Sequence, residues 1–397
     1  MRTYAGHSSA RQSNALHRQN LAKQPAPRLL PRPARPWDLS SPRERDWFGV
    51  LSEGLVVVWP AQADREWPRA GGAWLHIAPS GAVTAFTGKV NVWQDIQTAF
   101  QLRVAEELAV DPDDVRIVQG DTDLCPYDAG TFGSRSMTDA DEALRRAAAG
   151  ARQILIGLAA ARLGCPGAHL AAEKGAVVSG LTQPRLPYGT LVAGIRRAEV
   201  LAAEPPLTLP EDWNTAGQPD AAVRLDPVTG TRCATSGMLL PDMLHGTVLR
   251  PPVPGAVLRA ADCGSAVAMP GVTVVRDGQF IGVVADDPAT AREAVAGIKS
   301  DWDGPVSGPP DLTGCLAPVP LENRPAVADW NDGRLTVWTG TNLPFALRAR
   351  LSSRFRISEA AIRVIAQPFG GFGGKHGEEA FEAARLARAA FRPVKVH

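Results

Sequence analysis

Four glycines, two phenylalanines and a lysine crowd the junction "QPFGGFGGK" (residues 367–375), between a strand-like run, "IRVIAQ", and a helix-like run, "EEAFEAARLA". Glycine at such a place lets the backbone adopt conformations that other residues avoid, or lets another group press against it. A P-loop would need glycine at Phe369 and serine or threonine at His376. A dinucleotide fingerprint counted from Gly371 and Gly373 would need its third glycine at His376. Glu378 and Glu379 open the following helix and would compete with a phosphate there. The loop therefore suits a backbone held against a large flat group with Phe372 as a wall, or a tight turn packing a small-residue helix on a sheet.

Upstream, "GGAWLHIAPSGAVTAFTGKV" reads as a hairpin turning at Pro79-Ser80-Gly81. "QDIQTAFQLRVAEELAV" puts Ile96, Phe100, Val104 and Leu108 on one helical face. "DPDD" ends that helix and "VRIVQGD" returns as a strand, the order of a strand–helix–strand unit. A second glycine-punctuated loop, "GTFGSRSMT", opens a long alanine-rich helix. Ser134, Ser136, the Arg135 fork and the free N–H groups of the helix start suit an anion. The same residues also read as an ordinary capped loop, with Thr138 or Asp139 as cap and Glu142 completing a capping box.

Further on, "GTVLR" and "GVTVVRDGQFIGVVAD" surround one short helix, "PATAREAVAGIKSDW", in an α+β texture. "NRPAVADWNDGRLTVWTG" reads as a hairpin on Asn331-Asp332-Gly333. "LPFALRARLSSRF" is a helix that leads into the strand "IRVIAQ".

Composition limits the function. A net charge of +1 across 397 residues gives no electrostatic case for nucleic acid or membrane binding. The five cysteines form no C-x-x-C pair, so the chain offers neither a zinc ribbon nor an iron–sulfur cysteine cluster. They read as reduced structural thiols of a cytoplasmic protein. The seven histidines are scattered, and G-x-S-x-G is absent.

Taken together, these segments resemble the molybdopterin-binding large subunit of the xanthine dehydrogenase/aldehyde oxidase family. "FGGFGGK" is similar to the family's glycine–phenylalanine loop. "GKVNVWQDIQTAFQLRVAEEL" is similar to its glutamine-bearing segment, and "GDTDLCPYDAGTFGSRS" to its serine-rich segment. "LHGTVLRPPVPGAVLRAADCGSAVAMPGVTVV" resembles the hammerhead domain, while "PLENR" and "VWTGTNLPF" also have counterparts. The glutamine and serine segments precede the hammerhead, an order that resembles the isoquinoline 1-oxidoreductase branch, in its beta chain.

The resemblance implies an α+β architecture of partial molybdopterin-binding domains plus an α/β hammerhead module. Residues 1–42 would be a disordered basic tail, and 43–200 the permuted segment with the glutamine and serine loops. Residues 201–225 would be a linker, 226–303 the hammerhead, and 304–314 a second linker. Residues 315–397 would begin the first molybdopterin-binding domain. It implies a subunit that hydroxylates an N-heterocycle or aldehyde with water as the oxygen source. The cofactor would be molybdopterin, in its cytosine dinucleotide form, with molybdenum. A small partner subunit would carry the [2Fe–2S] clusters.

By the same resemblance Gln94 would bond the pterin. Gly133, Ser134, Arg135 and Ser136 would hold the phosphates and pterin edge. Gly371, Phe372, Gly373 and Gly374 would lie against the metal end, and Asn342 would face the molybdenum oxo group. Trp93 stands where relatives have glycine, a bulk expected to crowd the pterin. Asn342 replaces a glutamine and is one methylene shorter. No acid here matches the family's catalytic glutamate. The expectation is therefore either a piece completed by a second chain or a non-catalytic remnant without cofactor.

Overall fold

The computed structural model describes residues 48–60, 72–179, 184–214, 235–253, 255–304, 324–370 and 377–396. Residues 1–42, read above as a basic tail, and Gly371, Phe372, Gly373 and Gly374 lie outside the described residues, as do Cys233 and Cys315.

The first sheet grows from the hairpin that the turn cluster demanded. Strands β2 (Ala73–Ile77) and β3 (Val83–Thr87) pair antiparallel, with a Gly81 N–H to Ala78 carbonyl bond closing the turn. Helix α1 (Ile96–Leu108) follows, and β4 (Val115–Gln119) returns parallel to β3. Strands β1 (Gly54–Trp59) and β8 (Arg196–Val200) complete the order β4-β3-β2-β1-β8. Ile96, Phe100, Val104 and Leu108 are all buried, as their spacing required. Each such side chain contributes about 1.5–3 kcal/mol when withdrawn from water.

The long helix α2 (Glu142–Leu163) lies beside α1 over the same sheet. Its start differs from the sequence reading. The chain is already helical at Ser136, and Met137–Asp141 form a widened π turn. Thr138 and Asp139 therefore lie inside the helix. Their side chains turn to the Arg135 carbonyl and the Arg135 guanidinium, so the expected capping box does not form. Local hydrogen bonds of this kind compete directly with capping.

The small strands β5 (Leu170–Glu173), β6 (Ala176–Ser179) and β7 (Arg185–Pro187) form a separate three-stranded sheet. Leu201–Asn214 has little regular structure but is pinned firmly. The fully buried carboxylate of Glu107 accepts from the Thr208 N–H at 3.0 Å, the Thr208 hydroxyl at 2.9 Å and Arg145 Nε at 3.0 Å.

The second large sheet has seven strands in the order β11-β12-β9-β17-β14-β15-β16. Strands β9 (Leu244–Val248), β11 (Thr273–Asp277) and β12 (Phe280–Ala285) come from the stretch read as a hammerhead. In that stretch β10 (Val257–Asp262) pairs with β13 (Lys299–Asp303), and α3 (Pro288–Ala296) packs on β9 and β12. Strands β14 (Ala326–Asn331), β15 (Arg334–Thr339), β16 (Ile362–Ala366) and β17 (Val394–Val396) come from the last segment. The parallel pairing of β9 with β17 makes the two groups one sheet. Helices α4 (Pro344–Phe355) and α5 (Glu378–Ala390) cover one face with Leu347, Leu351, Ala383, Ala384 and Leu386.

The two sheets contain the same unit. In β2-β3-α1-β4 and in β14-β15-α4-β16, a hairpin is followed by a helix and a strand parallel to the second hairpin strand. Both helices end on a left-handed residue, Ala109 and Arg356. Both then make a 3₁₀ turn capped by a side chain, from Asp111 and Ser358. Each unit runs Thr-Gly out of its second strand, at Thr87-Gly88 and Thr339-Gly340. Loops leaving the carboxyl ends of parallel neighbours are the usual place for a ligand in sheets of this kind.

Candidate functional site at the joined strand ends

The two repeated units meet through those loops. Asp121, just past β4, bridges to Ile365 of β16. The Gly120 N–H donates to the Thr87 carbonyl at 3.1 Å, and the Ala366 N–H donates to the Gly120 carbonyl at 3.1 Å. The Gln367 N–H donates to the Thr339 carbonyl at 3.0 Å, and the Phe369 N–H to the Asn91 carbonyl at 3.3 Å. The Thr131 N–H donates to the Asn342 carbonyl at 2.9 Å, and the Thr131 hydroxyl accepts from the Val90 N–H at 2.9 Å. Four loops, 88–95, 120–136, 340–343 and 367–370, are thereby tied at one place.

Close approach is built in with glycine. A Cβ on Gly130, whose φ is +133°, would sit 2.3 Å from Leu343 Cδ2 and 2.9 Å from the Asn342 carbonyl oxygen. One on Gly88 would lie 2.4 Å from Asp128 Cβ. Neither position admits a larger side chain without moving a loop.

Charged groups fix the arrangement. Lys89 is buried, with Nζ 3.1 Å from Asp128 Oδ1, 2.9 Å from the Gly130 carbonyl oxygen and 3.7 Å from Asp139 Oδ2. Burial pushes the Asp128 carboxyl up, against the pull of Lys89. Arg363 of β16 grips Asp121 with two guanidinium nitrogens, and Arg334 reaches Asp123. Both acids are almost fully buried.

Asp123 is pushed up to about 6, first by burial and next by Asp121, while Arg334, Arg363 and Arg348 pull it back. The close Arg334 contact and the raised value point opposite ways, and removal from water beside a second carboxylate prevails. The folded state then holds a proton, between pH about 4 and 6, that the unfolded chain releases. The contribution of Asp123 is complete below that window and declines as pH rises through it, by up to about 3 kcal/mol. Urea unfolding at a series of pH values should show this decline, and Asp123→Asn should flatten it. An unchanged slope in the variant would assign the titration to another group.

The residues singled out in the sequence fall as follows. Gln94 folds onto its own loop: Oε1 accepts from the Val92 N–H at 2.5 Å and Nε2 donates to the Val90 carbonyl at 3.3 Å. Gly133 and Ser134 both have positive φ, +66° and +57°, and turn the chain into α2. Arg135 pairs with Asp139 at 3.3 Å, and Ser136 is the first helical residue. The first-turn N–H groups of such a helix have no intrahelical partner. Asn342 places Nδ2 3.5 Å from the Thr131 carbonyl oxygen, while its buried Oδ1 has no hydrogen-bond partner among the described residues. Gln94, the Gly133–Ser136 turn and Asn342 thus belong to the joined loops.

Trp93 projects an indole that is 48% exposed from a backbone at φ +63°. This left-handed geometry, which a glycine would adopt without penalty, costs strain in a tryptophan. Trp93→Gly should stabilise the protein by about 0.5–1 kcal/mol in thermal unfolding. A loss of stability instead would mean that the indole contributes packing.

Lys89, Asn91, Asp128 and Thr131 went unnoticed in the sequence. Asn91 is 3% exposed; its Oδ1 accepts from the Trp93 N–H at 2.9 Å, and its buried Nδ2 has no partner among the described residues. Only its place in the loop leaving β3 could have drawn attention to it. Among the described residues no group of three His, Cys, Asp or Glu side chains is placed to hold a metal ion, and no helix is long and apolar enough to cross a membrane.

The fold and site define a cofactor-binding α+β assembly, with loops from two repeated units arranged about one place. Residues 50–234 and 312–397 both match the molybdopterin cofactor-binding domain, and the chain belongs to the xanthine dehydrogenase/aldehyde oxidase family. It is 32% identical over 377 residues to one of the subunits of nicotinate dehydrogenase from Pseudomonas putida, covering 81% of this chain and 31% of that protein. It is 28% identical over 273 residues to the beta chain of isoquinoline 1-oxidoreductase from Brevundimonas diminuta, covering 58% of this chain and 35% of that protein. A putative xanthine dehydrogenase molybdenum-binding subunit of Escherichia coli is 31% identical over 146 residues, covering 36% of this chain and 19% of that protein. The chain thus spans about a third or less of the length of these relatives.

Proposed function

We propose that this chain is the cofactor-gripping part of a molybdenum hydroxylase that oxidises an N-heterocycle or aldehyde with oxygen from water. The observation that carries the reading is the pair of buried amide atoms at the joined loops that have no hydrogen-bond partner among the described residues: a donor, Asn91 Nδ2, and an acceptor, Asn342 Oδ1. Buried polar atoms are seldom left unpaired, because each costs about 1–3 kcal/mol. A heterocycle edge carrying both donors and acceptors, as a pterin does, answers both.

The donor set fits the rest of the group as well. The Ser134 and Ser136 hydroxyls and the first-turn N–H groups of α2 suit a phosphate tail. Arg135 could join them by leaving Asp139, an exchange favoured by its exposure. Gly371, Phe372, Gly373 and Gly374 would lie along the metal end, and Gln94 could turn its amide outward to the pterin. When bound, the group supplies the Lewis acid and the redox couple, while this chain binds and orients it. The cytosine dinucleotide form, a small [2Fe–2S] subunit and a cytoplasmic location all belong to this reading. The names of the nicotinate and isoquinoline relatives favour an N-heterocyclic substrate over an aldehyde.

The test is cofactor content. The chain, purified anaerobically from a molybdate-supplied host with an iron–sulfur subunit co-expressed, should carry near-stoichiometric molybdenum and pterin. Ser134→Ala with Arg135→Ala should lower the pterin content severalfold. Absence of pterin and metal in the wild-type complex would overturn the proposal and favour the cofactor-free remnant.

A further inference from the structure

Two adjoining clefts, of about 660 and 600 Å³, lie along α4 and α5 and are lined by none of the candidate-site loops. They share Arg354, Arg356 and Arg385 as walls. Arg350 adds to one cleft, and Arg276 and Arg388 to the other, so six arginines face three carboxylates, Asp277, Glu378 and Glu382. In a chain of net charge +1 this is a local concentration of positive charge.

Much of the negative charge is already engaged. Arg350 pairs with Glu378, Arg385 with Asp277 at 3.5 Å, and Arg250, outside the clefts, takes both oxygens of Glu382. Arg354 and Arg356 have no carboxylate partner among the described residues, and both are exposed. Arg356 is fixed by its left-handed C-cap geometry at φ +54°. Half-buried rings line the floor: the Phe381 ring lies 5.0 Å from the Arg350 guanidinium and the Phe280 ring 4.9 Å from that of Arg385.

The last-turn position of Arg354 suits the helix dipole. That does not account for arginines of β11 and α5 converging on the same walls.

We propose that this surface seats an acidic segment of a partner polypeptide, with carboxylates on Arg354 and Arg356 and an apolar side chain against Phe280 and Phe381. Arginine forks match carboxylates in a bidentate way. A nucleic acid fits less well, because Asp277, Glu378 and Glu382 interrupt the positive track that a phosphate backbone needs.

Fluorescence anisotropy of the full chain with a fluorescein-labelled peptide of glutamates interspersed with leucines tests the proposal. Saturable binding is expected, weakening as salt is raised. Arg354→Gln with Arg356→Asn should weaken it about tenfold or more. Arg197→Gln, on the other sheet, should leave it unchanged. Circular dichroism checks the fold, and Arg388→Gln gives an independent reading should the double variant unfold. No saturable binding, binding untouched by these cleft substitutions, or tighter binding of single-stranded DNA than of the peptide would each overturn the proposal.

Discussion

Arg363→Ala should destabilise the protein by about 3–5 kcal/mol in urea unfolding, the largest effect expected of any single change. Arg363 is 6% exposed and grips Asp121, whose Oδ1 is 3.0 Å from Nε, with Asp123 close behind. Removing the guanidinium leaves Asp121 buried without its ion-pair partner, beside Asp123, which keeps Arg334 as its own. The partners are 242 residues apart in the chain and belong to the two repeated units. The loss would therefore also slacken the joint on which the candidate site is built. Joining Asp121→Asn to Arg363→Met should recover a good part of the stability, because the buried charge is then gone as well. A loss below about 1 kcal/mol for Arg363→Ala would show that Arg334 and Arg348 neutralise the acids unaided.

Glu107→Ala should cost about 3 kcal/mol and expose a new protease site within Leu201–Asn214. The Glu107 side chain is fully buried and holds Arg145, Arg152 and the Thr208 N–H and hydroxyl together. Arg145 in turn lies 5.2 Å from the Trp213 ring, so losing the acid loosens both ends of that contact. Limited proteolysis read by mass spectrometry would locate the cut. Unchanged cleavage in the variant would mean that the bonds not involving Glu107, among them Arg152 to the Pro206 carbonyl at 2.9 Å and Arg145 to the Thr208 carbonyl at 2.8 Å, are enough to hold the segment.

Much of the secondary structure was legible because it is local. The apolar face of α1 follows from a period of 3.6, and the hairpin at Asp332-Gly333 follows from two residues that accept positive φ, here +50° and +74°. The stop of α1 at Leu108, shortly before Asp111-Pro112, was legible because it is local too, although the left-handed residue that closes it is Ala109. The start of α2 was not. A capping pattern in the sequence says which side chains could cap, but not that Asp139 would be drawn to Arg135 instead.

The site was half legible. Resemblance pointed to Gln94, the Gly133–Ser136 turn and Asn342, whereas Asn91, Lys89 and Asp128 carry no local signature. Their roles come from burial and from contacts that cross 39 residues in the case of Lys89 and Asp128. The repeated unit escaped notice because its two copies share little beyond Thr-Gly at a strand end and a capped turn after the helix.

The main hairpins, the amphipathic helix faces, the tight turns at Pro79-Ser80-Gly81 and Asp332-Gly333 and the family were determined by the sequence alone, since each depends on neighbours within a few residues or on motifs read in a row. Which loops meet, which amides are left unpaired and where arginines gather were decided only by the tertiary structure. Those are properties of distance in space, set when the Asp121–Arg363 joint and the shared sheet bring remote segments into contact.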